Sequence, residues 1–120
     1  MVDVDTVRRI ALSLPESHDG SSATAMRFHV RDQQFAWTYH ERACPRGPRQ
    51  PRLDVLAVRC AAEEKESLLA SHPGKSFTTD HYRGFHAVLV YLDSVDEQEI
   101  RLRLTAAWRC QAPPRIATAR

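Results

Sequence analysis

Histidine, cysteine, tyrosine and arginine are the side chains in this sequence whose types can do chemistry. The segment Asp80-His81-Tyr82-Arg83-Gly84-Phe85-His86 gathers most of them. Two histidines and a tyrosine at this spacing suit proton transfer, and Arg83 adds a cation. Asp80 is adjacent, yet no nucleophile stands at a telling distance, so the plainer reading is a tight turn. His81, Tyr82, Arg83 and His86 remain secondary candidates. None of the six histidines makes H-E-x-x-H or pairs with a cysteine at zinc spacing, so no metal site is expected. The cysteines are Cys44, Cys60 and Cys110, an odd number without C-x-x-C, which fits reduced thiols. No catalytic constellation or cofactor motif emerges, and the expectation is a non-enzymatic protein with no cofactor.

Arginine is the other source of chemistry. The chain has 17 basic side chains, of which only Lys65 and Lys75 are lysines. Arginine makes planar, bidentate contacts to phosphate and carboxylate. The overall charge of +2 is uneven: residues 101–120 hold five arginines and no acid, whereas residues 1–100 are net −3. A GC-rich coding bias accounts for the arginine preference equally well. Arg27, His29 and Arg31 alternate on one face of a strand. Arg42, Arg46, Arg49 and Arg52 follow in a segment rich in proline. Together with His40 they are the candidates for one anion-contacting surface, the requirement for holding nucleic-acid phosphates. The bland alternative is a hydrated sheet face and a solvated connector.

The elements that must position these side chains follow from periodicity. Val4, Val7, Ile10, Ala11 and Leu14 form a helical stripe, Asp3 can cap it, and Pro15 stops it. Residues 15–24 read as a loop. Residues 25–31 and 34–40 each alternate, giving a hairpin turned at Asp32-Gln33, with Phe35, Trp37 and Tyr39 on one face. Residues 41–52 contain three prolines and a glycine and read as an irregular, exposed basic loop. Residues 53–60 form an interior strand and residues 61–70 a helix with acids in its first turn. Residues 76–79 and 86–92 are strands. Ser94 and Glu97 have capping-box spacing before a last helix carrying Ile100, Leu104, Ala107 and Trp108 on one face. Most of the aromatics are assigned to the core.

The order is therefore α-β-β-β-α-β-β-α, and hairpins require antiparallel pairing. The expected fold is a two-layer α+β domain, with an antiparallel sheet of about five strands and helices on one face. A chain of 120 residues accommodates one domain, placed at residues 1–116 with a loose tail at 117–120. No apolar run suggests a membrane span, and the first residues have neither a basic segment nor an apolar core, so a cytoplasmic protein is expected.

Several segments in this order resemble a known family. They are Val7-Arg8-Arg9-Ile10-Ala11-Leu12-Ser13-Leu14-Pro15-Glu16, Phe28-His29-Val30-Arg31 with Phe35-Ala36, and Leu68-Leu69-Ala70-Ser71-His72-Pro73. The longest runs from His81 to Leu92, and the last is Ala107-Trp108-Arg109 with Ala112-Pro113. Together they are similar to the MmcQ/YjbR-like family of bacterial single-domain proteins, over about residues 4–116. The resemblance implies a fold related to secretion chaperones and a DNA-binding role through a "double-wing" motif, with no catalytic motif or cofactor. Departures are Asp32-Gln33-Gln34 in place of a Gly-Lys turn, Arg59 in place of a lysine, and a longer segment at 41–52. The resemblance also implies alternatives. One is an aromatic small molecule, as in antibiotic sequestration. The other is a protein partner, met by a monomer or a homodimer. Membrane attachment is not expected.

Overall fold

The computed structural model describes residues 2–42, 47–79, 82, 84 and 86–113, and the side chain of Arg42 is outside that description. The expectations for Arg46, His81, Arg83 and the C-terminal tail lie outside the described residues. The chain forms α1 (Val4–Leu12), β1 (Ser17–Asp19), β2 (Arg27–Val30), β3 (Gln33–Arg42), β4 (Arg49–Arg59), α2 (Ala62–Ser71), β5 (Ser76–Phe77), β6 (Ala87–Tyr91) and α3 (Glu97–Gln111). The six strands are ordered β1-β2-β3-β4-β6-β5, and every pairing is antiparallel. The α+β class and the helices on one sheet face hold. The additional strand is β1, in a segment that composition marks as loop. Its three residues pair with β2, so tertiary pairing rather than local pattern creates it. Among the described residues, no helix is long and apolar enough to cross a membrane.

Helix ends follow local chemistry. The Thr6 N–H donates to Asp3 Oδ1 at 2.8 Å, the expected N-cap of α1. The capping box of α3 lies two residues later than its spacing suggests. Asp96 and Glu99 form it, because Leu92–Ser94 is taken up by a 3₁₀ turn. An aspartate provides the same acceptor as a serine, so Asp96-x-x-Glu99 competes directly with Ser94-x-x-Glu97.

The β2–β3 hairpin turns at Arg31-Asp32, one residue earlier than expected, since Val30 pairs with Gln33. Arg31 adopts φ 53°, and Glu16 adopts φ 55°. Left-handed backbone is costly for residues with a Cβ. These two are joined by an ion pair, with Arg31 Nε donating to Glu16 Oε1 at 3.2 Å. The hairpin also contains a bulge: Phe28 pairs with Ala36, but His29 pairs with Gln34, leaving Phe35 unmatched. Phe35 and Ala36 therefore both reach the helix-covered core, and Trp37 and Tyr39 fall on the opposite face. The single Phe35-Trp37-Tyr39 face is thus split by one extra residue.

A second irregularity follows, where Thr38 pairs with Leu56 but Tyr39 with Arg52. Beyond it, residues 39–42 pair with residues 49–52. β2 pairs with β3 only up to Trp37, and β6 pairs with β4 only from Val55. A two-stranded ribbon results, extending past both neighbours. Much of the segment read as an irregular loop is therefore strand. Pro51 is accommodated because no third strand requires its missing N–H.

The main core lies between the sheet and α1 and α3. Phe28, Val30, Leu56, Val58, Val88 and Val90 meet Val7, Ile10, Ile100 and Leu104 there. Trp108 is 0% exposed, and its Nε1 donates to the Pro15 carbonyl at 2.9 Å. Trp108→Ala removes a large buried ring and orphans that carbonyl. It is expected to lower stability by about 3–5 kcal/mol in denaturant unfolding. A variant within about 1 kcal/mol of the parent would contradict this packing.

Candidate nucleic-acid interface

The sheet register sorts the candidate residues. Arg27 is exposed, opposite Trp37 on the helix-free face. His29 is half-buried and faces His18 across β1 and β2. Its ring crosses Gly20 so closely that a Cβ there would lie 2.8 Å from Cε1, so a larger residue at position 20 would displace the imidazole. Arg31 sits in the turn, paired with Glu16. In the ribbon, Tyr39 pairs with Arg52 and Glu41 with Gln50, while His40 pairs with Pro51 and Arg42 with Arg49. Side chains alternate faces along a strand. Arg52 therefore continues the face of Arg27, and the positions of His40, Arg42 and Arg49 lie on the other. The candidates are divided between two faces, because successive ribbon residues alternate sides.

Acids further reduce the free positive charge. Arg52 donates from Nε to Asp54 Oδ1 at 2.9 Å, from Nη2 to Asp54 Oδ2 at 2.8 Å, and from Nη1 to Glu41 Oε2 at 2.7 Å. This fork spans the irregular stretch of β4 and joins it to β3. It raises the Arg52 pKa and holds the Asp54 carboxyl below the usual carboxylate range. Arg8, Arg9, Arg101 and Arg103 also have carboxylate partners. Arg27, Arg49 and Arg59 make no ion pair with the described residues.

The helix-free face carries a ring cluster, of which sequence alternation assigns Trp37 and Tyr91 to the core. Trp37 and Tyr82 stack with centroids 6.5 Å apart, and Trp37 Nε1 donates to Tyr82 Oη at 3.0 Å. Tyr39 meets Tyr82 and Phe77 edge-on at 5.9 Å and 6.0 Å. Phe77 and Tyr91 stack at 4.5 Å. The Arg59 guanidinium carbon lies 5.1 Å from the Trp37 ring centroid. Burial raises the Tyr39 phenol pKa. Tyr82 is buried, and its carbonyl accepts from Lys65 Nζ at 2.6 Å. Lys65 is only 7% exposed, and desolvation lowers its pKa. His86 is exposed and lines a cavity of about 330 Å³ with Lys65 and Thr78.

Sequence reasoning therefore missed Trp37, Tyr39, Phe77, Tyr91 and Arg59 as surface features. Alternation of rings in β3 was visible, but the bulge that turns them outward was not. Among the described residues, no three His, Cys, Asp or Glu side chains group to hold a metal. Burial pushes the Cys60 thiol up to about 11 and raises the Cys110 pKa, the direction that disfavours thiolate.

The Arg52–Asp54 fork has a pH consequence. A carboxyl with a lowered folded-state pKa contributes stability above its unfolded pKa and loses it as pH falls through the folded value. Asp54→Asn is therefore expected to melt lower than the parent at neutral pH and to lose less on acidification below about pH 4. Parallel melting curves against pH for the two proteins would show that the fork is not formed.

Comparison with other proteins places this arrangement. Uncharacterized proteins of Mycobacterium bovis (Mb2600) and Mycobacterium tuberculosis (Rv2570) are each 32% identical to the chain over 126 residues, covering 99% of it and 95% of their own length. The crystal structure of Deinococcus radiodurans protein DR2400, family-model domain DUF419, shares the fold with a TM-score of 0.68. It is 19% identical, and the match covers 99% of this chain and 88% of that one. The YjbR family model matches residues 12–110, including both hairpins and most of α3. The chain belongs to the YjbR family.

Proposed function

We propose that the chain is a non-enzymatic, cytoplasmic nucleic-acid-binding protein. The observation that carries the reading is the set of arginines without carboxylate partners among the described residues. Arg27 is exposed on the sheet, and Arg49 is exposed on the ribbon. Phosphate binding requires such uncompensated cations. A two-stranded ribbon also has the dimensions to enter a major groove. Arg31 and Arg52 leave the contact set, because Glu16, Glu41 and Asp54 engage them. Arg27 remains on the helix-free face, and Arg49 remains with the positions of His40 and Arg42 on the other face of the ribbon. A second reading, a protein partner or an aromatic small molecule, draws on the ring cluster of the helix-free face.

The test is a fluorescence-anisotropy titration with a short labelled duplex across a salt series. Each phosphate contact contributes roughly 0.9 to the slope of log affinity against log salt. Replacing Arg27 and Arg49 together with Ala is expected to make that slope shallower by up to about 1.8, across unrelated DNA sequences. Melting temperature should barely change, as exposed substitutions stay within about 0.5 kcal/mol. Lack of binding at low salt by the parent protein, both to this duplex and to its unpaired strand, would overturn the reading. An unchanged slope in the double variant would remove these two arginines from the interface.

A further inference from the structure

Four half-buried rings stand on the helix-free face: Trp37 and Tyr39 on β3, Phe77 on β5 and Tyr91 on β6. Trp37 and Phe77 belong to one cross-strand row, with Ala57 and Leu89 between them. Three strand spacings separate their strands, roughly 14 Å. No described helix packs over this face, whose buried residues form a cluster separate from the helix-covered core.

Among the described residues, the charge around the rings is positive. Arg27 is the cross-strand partner of Trp37, and Arg59 lies against the Trp37 ring. Neither makes an ion pair with the described residues. The carboxylates of Glu41 and Asp54 are already engaged by Arg52. Unengaged cations therefore lie beside aromatic surface. Cations recruit phosphates, and rings recruit flat unpaired bases. A duplex keeps its base faces stacked inside, so rings on a sheet gain nothing from it. A single strand offers phosphates and free base faces together. A small neutral ring compound would use the rings and leave the arginines without a counter-charge, and an acidic protein surface would pair the arginines but bring few flat faces to the rings.

We propose that the helix-free face binds single-stranded nucleic acid, with unpaired bases stacked along Trp37, Tyr39 and Tyr91 and phosphates held by Arg27 and Arg59. This rests on the nucleic-acid reading above and names its substrate class. A four-stranded sheet with aromatic side chains stacks two or three bases in the same manner. The Arg59 guanidinium already lies over Trp37, in the arrangement that extends to a base on its other side.

The experiment compares three labelled probes of equal length: an oligo(dT) strand, a duplex and an abasic phosphodeoxyribose strand. The parent protein is expected to bind oligo(dT) more tightly than either of the others. Base stacking should quench tryptophan fluorescence only with oligo(dT). Trp37→Leu and Tyr39→Leu should each lower oligo(dT) affinity roughly 5- to 150-fold, the range for losing a stacked base. Their salt slope should stay unchanged, since the phosphate contacts remain. The abasic comparison uses the parent protein, so it stands whether or not either variant folds. Equal affinity for the abasic and oligo(dT) strands overturns the stacking proposal. Binding of duplex at least as tightly as oligo(dT) overturns the single-strand assignment while leaving the nucleic-acid reading intact. Failure to bind any probe at low salt overturns both. A protein or dye that quenches Trp37 where oligo(dT) does not would assign the face to that other class.

Discussion

The unmatched residue Phe35 determines what each face of the sheet displays. Between the pairs Phe28–Ala36 and His29–Gln34, β3 holds one residue more than β2. The pleat has a period of two, so one extra residue reverses the face of everything beyond it relative to the start of the strand. Phe35 completes the helix-covered core. Trp37 and Tyr39 then project to the other face, where Phe77 and Tyr91 meet them. Without the bulge, continuous alternation would keep Phe35, Trp37 and Tyr39 together. The main core would have to hold three large rings from one strand, and the helix-free face would lose Trp37 and Tyr39 and keep Phe77, Tyr82 and Tyr91.

The β3–β4 ribbon depends on a different balance. A strand pair beyond the reach of its neighbours has little apolar surface to bury, and isolated hairpins are marginal in water. The Arg52 fork supplies what packing does not, by tying Asp54 across the irregular stretch of β4 to Glu41 on β3. Surface ion pairs are weak singly, but bidentate geometry and a shared partner are the conditions in which they matter. The same contacts withdraw Arg52 from any ligand. Arg52 supports the ribbon, whereas Arg49 is exposed and makes no ion pair with the described residues.

Much of the fold was legible because local signals agreed with tertiary need. The stripe Val7, Ile10, Ala11 and Leu14 and the alternation of Met26, Phe28 and Val30 each match a buried face. Ser94 and Asp96 show the limit of motif reading, since both precede a glutamate by three residues and only backbone geometry chooses between them. Pro45, Pro48 and Pro51 marked residues 41–52 as irregular, yet a ribbon with open edges admits Pro51 in a strand. The site was less legible still. Arg27 and Arg31 share a type and a spacing, but Glu16 reaches one of them from a distant turn. Nothing in local sequence encodes that encounter. Trp37 looked like core because a ring in an alternating strand usually is, and only the register of two bulged strands assigns it a face.

Lys65 connects the helical layer to this face. Its ammonium donates to the Tyr82 carbonyl, and the Tyr82 hydroxyl accepts from the Trp37 indole. Burying a lysine is unfavourable unless its donors are used, and desolvation accordingly lowers its pKa. The return is positional. Trp37 is fixed by a hydrogen bond on its nitrogen and by Arg59 over its face, and Tyr39 is fixed between Phe77 and Tyr82. Rings held in this way have already lost their rotamer freedom in the free protein. A ligand that stacks on them does not have to order them, and that entropy, about 0.5–1.5 kcal/mol for each immobilised side chain, no longer opposes association. The buried lysine thus supports the face from behind, because it anchors the tyrosine that orients the tryptophan.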